Sequence, residues 1–86
     1  MKFESTPNPN AVKCLLDSPS SEGPIRSYFN ADQAGSDPLA QRLFAIQGVT
    51  NLLITPDWIT VNKAPEASWA PIKRAVRVVL ADASLQ

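Results

Sequence analysis

The sequence predicts an α+β sandwich of two layers: an antiparallel sheet of about four strands with two helices on one face, in the order β-β-(β)-α-β-β-α. Three observations predict it. Two alternating runs, residues 2–5 and 11–16, flank a stiff polar link. Residues 49–63 read as a second strand pair about a Thr-Pro-Asp turn. Two later segments carry apolar residues at helical spacing behind good N-caps. With 86 residues the chain makes one domain, 1–86, with no internal repeat.

In the second run Val12, Cys14 and Leu16 share one face, and Ala11, Lys13 and Leu15 the other. The link ahead of it is Thr6-Pro7-Asn8-Pro9-Asn10. Residues before proline are pushed away from helical angles, so Thr6 and Asn8 are extended and Asn10 can turn. Asp17 to Pro24, rich in serine and proline, reads as loop. Ile25 to Phe29 is the optional third strand, with Ile25 and Phe29 on one side. Asn30 to Ser36 reads as loop with room for one turn around Asp32–Ala34.

The first helix is capped by Asp37, whose carboxylate can accept the free amides of the first turn. Pro38 follows at the first helical position, where a missing N–H does no harm. Leu39, Leu43 and Ile46 form its buried stripe, and Gly48 is the expected terminator. Val49 to Ile54 and Trp58 to Lys63 form a hairpin. Ile59 and Val61 face inward, while Trp58, Thr60 and Asn62 face outward, as in a sheet covered on one side. The second helix starts at Ser68, tolerates Pro71 in its first turn, and aligns Trp69, Ile72, Val76, Val79, Leu80 and Ala83.

Composition excludes several functions. Eight acidic and eight basic residues give no basic surplus, which argues against nucleic acid and acidic membranes as partners. One cysteine and no histidine cannot supply a disulfide, a four-ligand zinc site or a Ser-His-Asp or Cys-His catalytic set. An enzyme is therefore not expected, and no catalytic or metal-binding residue is assigned. No apolar run exceeds four residues, against about 20 for a membrane span. The polar opening Met1 to Asn10 is unlike a signal peptide, so the expected compartment is the cytoplasm.

Each conspicuous residue has two readings. Cys14 is either a reactive thiol, or half of a metal site shared across a dimer, or a small apolar residue of the inner face. Only Lys13 stands near it in sequence to lower its pKa, and Lys13 points the other way. Lys73, Arg74 and Arg77 either bind phosphate or an acidic partner, or form a solvated helix flank. Trp58 and Trp69 either anchor a partner or cap a small core. The Thr6–Asn10 link either fixes hairpin register or presents a preorganised recognition edge. Candidate partner-contact residues are Thr6, Asn8, Asn10, Trp58, Lys63, Lys73, Arg74 and Arg77. Gly23, Gly35 and Gly48 are isolated, so no phosphate-cradling glycine loop is present.

Thr6-Pro7-Asn8-Pro9-Asn10-Ala11-Val12-Lys13 resembles the "TPNPN-x-x-K" opening of the N-terminal domain of Nfu/NifU-type scaffold proteins. The similarity continues through Ser36-Asp37-Pro38-Leu39-Ala40 and Leu43-Phe44-Ala45-Ile46-Gln47-Gly48-Val49. It returns at Asp57-Trp58-Ile59-Thr60-Val61-Asn62-Lys63, at Trp69, and at Ile72-Lys73. The resemblance implies an α+β domain of iron–sulfur cluster assembly proteins, in which a separate Cys-x-x-Cys domain carries the cluster. No such motif stands in this sequence, which reads as a stand-alone copy of the accessory half. Cys14 replaces an aromatic of the family pattern, and Asn51-Leu52-Leu53-Ile54 is more apolar than the family's strand. The implied function is a non-enzymatic interaction domain in iron–sulfur cluster assembly or delivery. It acts as a monomer on assembly or recipient proteins, and the cluster is met only indirectly. The alternatives are an iron-binding protein through a dimeric Cys14 site and a small phosphate-binding domain.

Overall fold

The computed structural model describes residues 2–16 and 25–84. In chain order the elements are β1 (Lys2–Ser5), β2 (Ala11–Leu15), β3 (Arg26–Tyr28), α1 (Ala31–Ala34), α2 (Pro38–Phe44), β4 (Val49–Ile54), β5 (Trp58–Lys63) and α3 (Trp69–Ser84). The strands form one antiparallel sheet in the order β1-β2-β5-β4-β3. The optional third strand is real, so the sheet has five strands rather than about four. The loop expected at 17–24 lies outside the described residues.

The pairing register explains the core. Phe3, Cys14, Ile59, Ile54 and Arg26 make one cross-strand row, and Ser5, Val12, Val61, Leu52 and Tyr28 the next. Their central members are buried, and Leu43 of α2 with Ile72 and Val76 of α3 cover them. Burying each such side chain contributes about 1.5–3 kcal/mol. The opposite face carries Leu15, Trp58, Lys13, Thr60 and Leu53, all half-buried. One face is therefore covered and one open, as the alternation in β5 predicts. The apolar run Asn51–Ile54 divides the same way, with Leu52 and Ile54 inward and Leu53 outward.

The structure adds detail at three places. Beside the third strand Ile25 and Phe29 are 65% and 67% exposed, while Arg26 and Tyr28 face the helices. The reason is Asp37, which accepts an ion-paired hydrogen bond from the Arg26 guanidinium and another from the Tyr28 hydroxyl at 2.9 Å. Its second oxygen caps α2, accepting from Ala40 N at 3.2 Å. Helix α2 stops at Phe44, four residues before Gly48, the terminator expected from the sequence. Ala45 keeps helical angles, Ile46 N closes onto Leu43 O, and Gly48 instead turns the chain into β4 at φ +100°. A Cβ there would lie 3.0 Å from Ala67 Cβ and 3.1 Å from Ile72 Cδ1, so the position needs glycine for close approach as well as for angle. The single turn near Asp32–Ala34 is the helix α1, capped by Asn30 through Gln33 N at 2.9 Å.

The second hairpin is as expected. The Thr55 hydroxyl donates to Trp58 O (2.9 Å) and accepts from Trp58 N (3.0 Å), which satisfies a buried polar side chain inside the turn. The last helix begins at Trp69, directly after Ser68, and buries Ile72, Val76, Val79 and Leu80. The Ala83 side chain, expected on the same stripe, lies outside what the structure describes. Among the described residues no helix is long and apolar enough to cross a membrane.

Candidate functional site

Cys14 stands mid-strand in β2, between Phe3 and Ile59 in its cross-strand row, with an exposure of 0%. Burial pushes its thiol up to about 12 from 9.0, and the positive charges of Lys73 and Arg77 lower it in part. The sequence pointed to Lys13 as the only nearby cation. The fold instead brings two from α3, sixty residues away in the chain, over the inner face. A protonated, enclosed thiol is neither a nucleophile nor a ready ligand. The dimeric Cys14 site consequently lacks an accessible sulfur. Among the described residues, no group of three or more His, Cys, Asp or Glu side chains is placed to hold a metal ion.

The Thr6–Asn10 connection is tied down from several directions. The Thr6 hydroxyl lies 2.8 Å from Asn8 O and 3.0 Å from Ala11 O, and accepts from Asn8 N at 3.2 Å. Asn8 Oδ1 accepts from Asn10 N at 2.9 Å. Asn10 Oδ1 in turn accepts from Lys63 Nζ at 3.0 Å, and Trp69 Nε1 donates to Pro9 O at 2.9 Å. Lys63 is only 9% exposed. Its ammonium also reaches Ala64 O (3.3 Å) and Pro65 O (3.4 Å) and lies 5.6 Å from the Trp69 ring centre. Three oxygens and a π face compensate the buried charge. Thr6, Asn10 and Lys63 thus spend their polar groups inside the domain, and Asn8 turns its side chain onto the same loop.

Trp58 sits half-buried on the open sheet face with Lys13 Nζ 4.4 Å above its ring. Leu15 is its cross-strand partner, and Lys13 stands one diagonal step away, opposite Thr60.

The basic flank of α3 does not stand alone. Lys73, Arg74 and Arg77 join Lys2, Phe3 and Ala70 around one cavity of about 640 Å³. Lys73 Nζ lies 5.4 Å and the Arg77 guanidinium 4.7 Å from the Phe3 ring centre. Two of the four cations therefore lie over the one aromatic ring, and no carboxylate lines the cavity among the described residues. Lys2 and Phe3 escaped the sequence reading, because the hairpin register alone places Phe3 opposite Cys14 and beneath α3. Among the described residues the ion pairs lie elsewhere and occupy other cations: Arg26 with Asp37, and Arg42 with Asp82 at 2.6 Å.

Residues 1–85 match the family model described as the N terminal of scaffold protein Nfu/NifU. The mitochondrial NFU1 iron-sulfur cluster scaffold homolog of Homo sapiens is 34% identical over 83 residues, covering 95% of this chain and 33% of that protein. The chain spans about a third of the length of the curated relatives it matches. The crystal structure of protein SAV1430 from Staphylococcus aureus superposes with a TM-score of 0.72 at 26% identity, over 92% of this chain and 94% of that one. The solution structure of a NifU-like protein from Saccharomyces cerevisiae gives 0.71 at 30% identity, over 94% and 74%.

Proposed function

The chain belongs to the Nfu/NifU N-terminal family, and from that premise we propose that it is a non-enzymatic accessory domain of iron–sulfur cluster assembly or delivery. It contributes a docking surface for assembly or recipient proteins and holds no cluster of its own. One observation carries this reading: the only thiol in the chain is sealed in the core, with its pKa raised to about 12, while a cluster of cations and Trp58 lie at the surface. Ligand chemistry is turned inward and recognition chemistry outward. Trp and Arg are the side chains most often found to anchor protein partners, and both are available here.

The purified chain, immobilised under anaerobic conditions and exposed to host lysate, tests this reading. Enrichment of iron–sulfur assembly or recipient proteins over a bait of matched size is the expected result. Enrichment of none of them contradicts it.

A further inference from the structure

We propose that the cavity between β1 and α3 is a binding site for an acidic, extended peptide segment that adds to the free edge of β1. The inference deepens the docking role above by giving the partner's chemistry, and its test uses a defined peptide. It can therefore fail while the iron–sulfur role stands, or succeed while that role fails.

Three features converge on this ligand. The first is charge. Lys2, Lys73, Arg74 and Arg77 are half of the eight basic residues of a chain whose net charge is zero, and they line one cavity without a carboxylate among the described residues. Like charges held together cost free energy unless a partner of opposite sign offsets it. The ring of Phe3 beneath Lys73 and Arg77 offsets part of that cost and gives the cavity an apolar floor.

The second is backbone. Among the described residues β1 is an outer strand paired with β2 alone, so one row of its N–H and C=O groups faces away from the sheet. Such an edge accepts an added strand unless something repels it. Glu4 of β1 pairs in register with Lys13 on the other face from Phe3, so on the α3 side the cations of the helix flank and Lys2 set the charge that an incoming strand meets. They favour an acidic strand, so the charges act as a filter on what may pair.

The third is spacing. Lys73 and Arg77 are one helical turn apart, about 6 Å along the axis. Alternate residues on one face of a strand are about 6.8 Å apart. Trp69, at the start of α3, contacts Pro9 beyond the end of β1, whereas Arg77 lies over Phe3 near its beginning. Helix α3 thus runs back along β1. A strand laid on that edge would bring carboxylates at positions i and i+2 past successive turns of the helix. Inorganic phosphate could meet only one such pair, and nucleic acid would gain nothing from the strand edge.

Fluorescence anisotropy with a fluorescein-labelled octapeptide of alternating glutamate and threonine tests the site. Expected is saturable binding that weakens on the order of tenfold when salt rises from low to physiological strength. Lys73→Glu with Arg77→Glu should weaken it by at least about tenfold. Because those side chains also cover Phe3, Arg74→Glu, which touches no ring, serves as the variant that leaves packing intact; it should weaken binding several-fold with an unchanged melting temperature. In a ¹⁵N-labelled sample, amides of Lys2–Ser5 should gain hydrogen-exchange protection on adding the peptide. Equal affinity for the lysine–threonine octapeptide, displacement by an equimolar amount of inorganic phosphate, tighter binding of an oligothymidylate of the same length, or unprotected β1 amides would each overturn the proposal.

Discussion

Cys14 fills a core position whose chemistry is set by what surrounds it. The neutral thiol is favoured, so in the folded chain its proton is held up to about pH 12, whereas the unfolded chain releases it near 9.0. Between those values the unfolded state binds fewer protons, so stability falls as pH rises, by up to about 4 kcal/mol at the upper end. Below pH 9 this residue contributes no pH dependence. Urea titrations across that window should show the decline in the native chain and a shallower one in Cys14→Ala. At neutral pH a thiol reagent should label Cys14 slowly in water and fully in denaturant; rapid labelling of the native chain contradicts its burial. Asp37 is the other residue on which much rests, since it joins Arg26, Tyr28 and the first turn of α2. Asp37→Ala should cost roughly 2–4 kcal/mol, the sum of a cap and a partly buried charged hydrogen bond, measured by urea unfolding. Tyr28 gains from the same contact. Its hydroxyl, donating to the Asp37 carboxylate, titrates above the ordinary tyrosine range, so this support is present at neutral pH and disappears as alkaline pH removes the proton.

The elements differ in how openly their residues announced them. The Asp37–Pro38 start of α2 and the Thr55–Asp57 turn are local signals, written in caps and turn residues, and both stand where local chemistry puts them. The end of α2 was misread, because Gly48 looks like a helix terminator in sequence and is instead demanded by Ala67 and Ile72, contacts made only after the chain returns. Which side of β3 meets the core is likewise set at a distance: Asp37, brought across the sheet edge, claims Arg26 and Tyr28 and leaves Ile25 and Phe29 exposed. Gly48→Ala should therefore cost more than the usual ~1 kcal/mol of a strained glycine angle, because its Cβ also meets two side chains. A loss below that in thermal unfolding would mean α3 and the following loop can retreat freely. The β1–β2 connection makes an opposite case. Its residue types announced a rigid turn, but its anchors, Lys63 and Trp69, are distant in sequence. Lys63→Met should destabilise by about 1–3 kcal/mol through the unpaired Asn10 side chain and lost charge contacts, and Trp69→Phe by about 0.5–1.5 kcal/mol through the lost indole bond to the solvent-accessible Pro9 carbonyl.

At the scale of the whole molecule, a chain of zero net charge is electrically uneven. Alternation and capping fixed which face of the sheet is covered, so the core was legible from the residues. The basic cavity was only half legible: three of its cations share a helix flank, but Lys2 and the Phe3 floor join them through hairpin register and helix placement, which local sequence does not encode. The same long-range assembly sends the thiol inward. On the function proposed above, the domain would bring a shape and a charge pattern to iron–sulfur assembly, and Cys14 would serve packing. Anaerobic reconstitution with iron and sulfide, followed by visible absorption and an iron assay, tests this most directly. The account predicts a colourless chain with iron far below one atom per molecule. A stoichiometric chromophore that disappears in Cys14→Ala would contradict it.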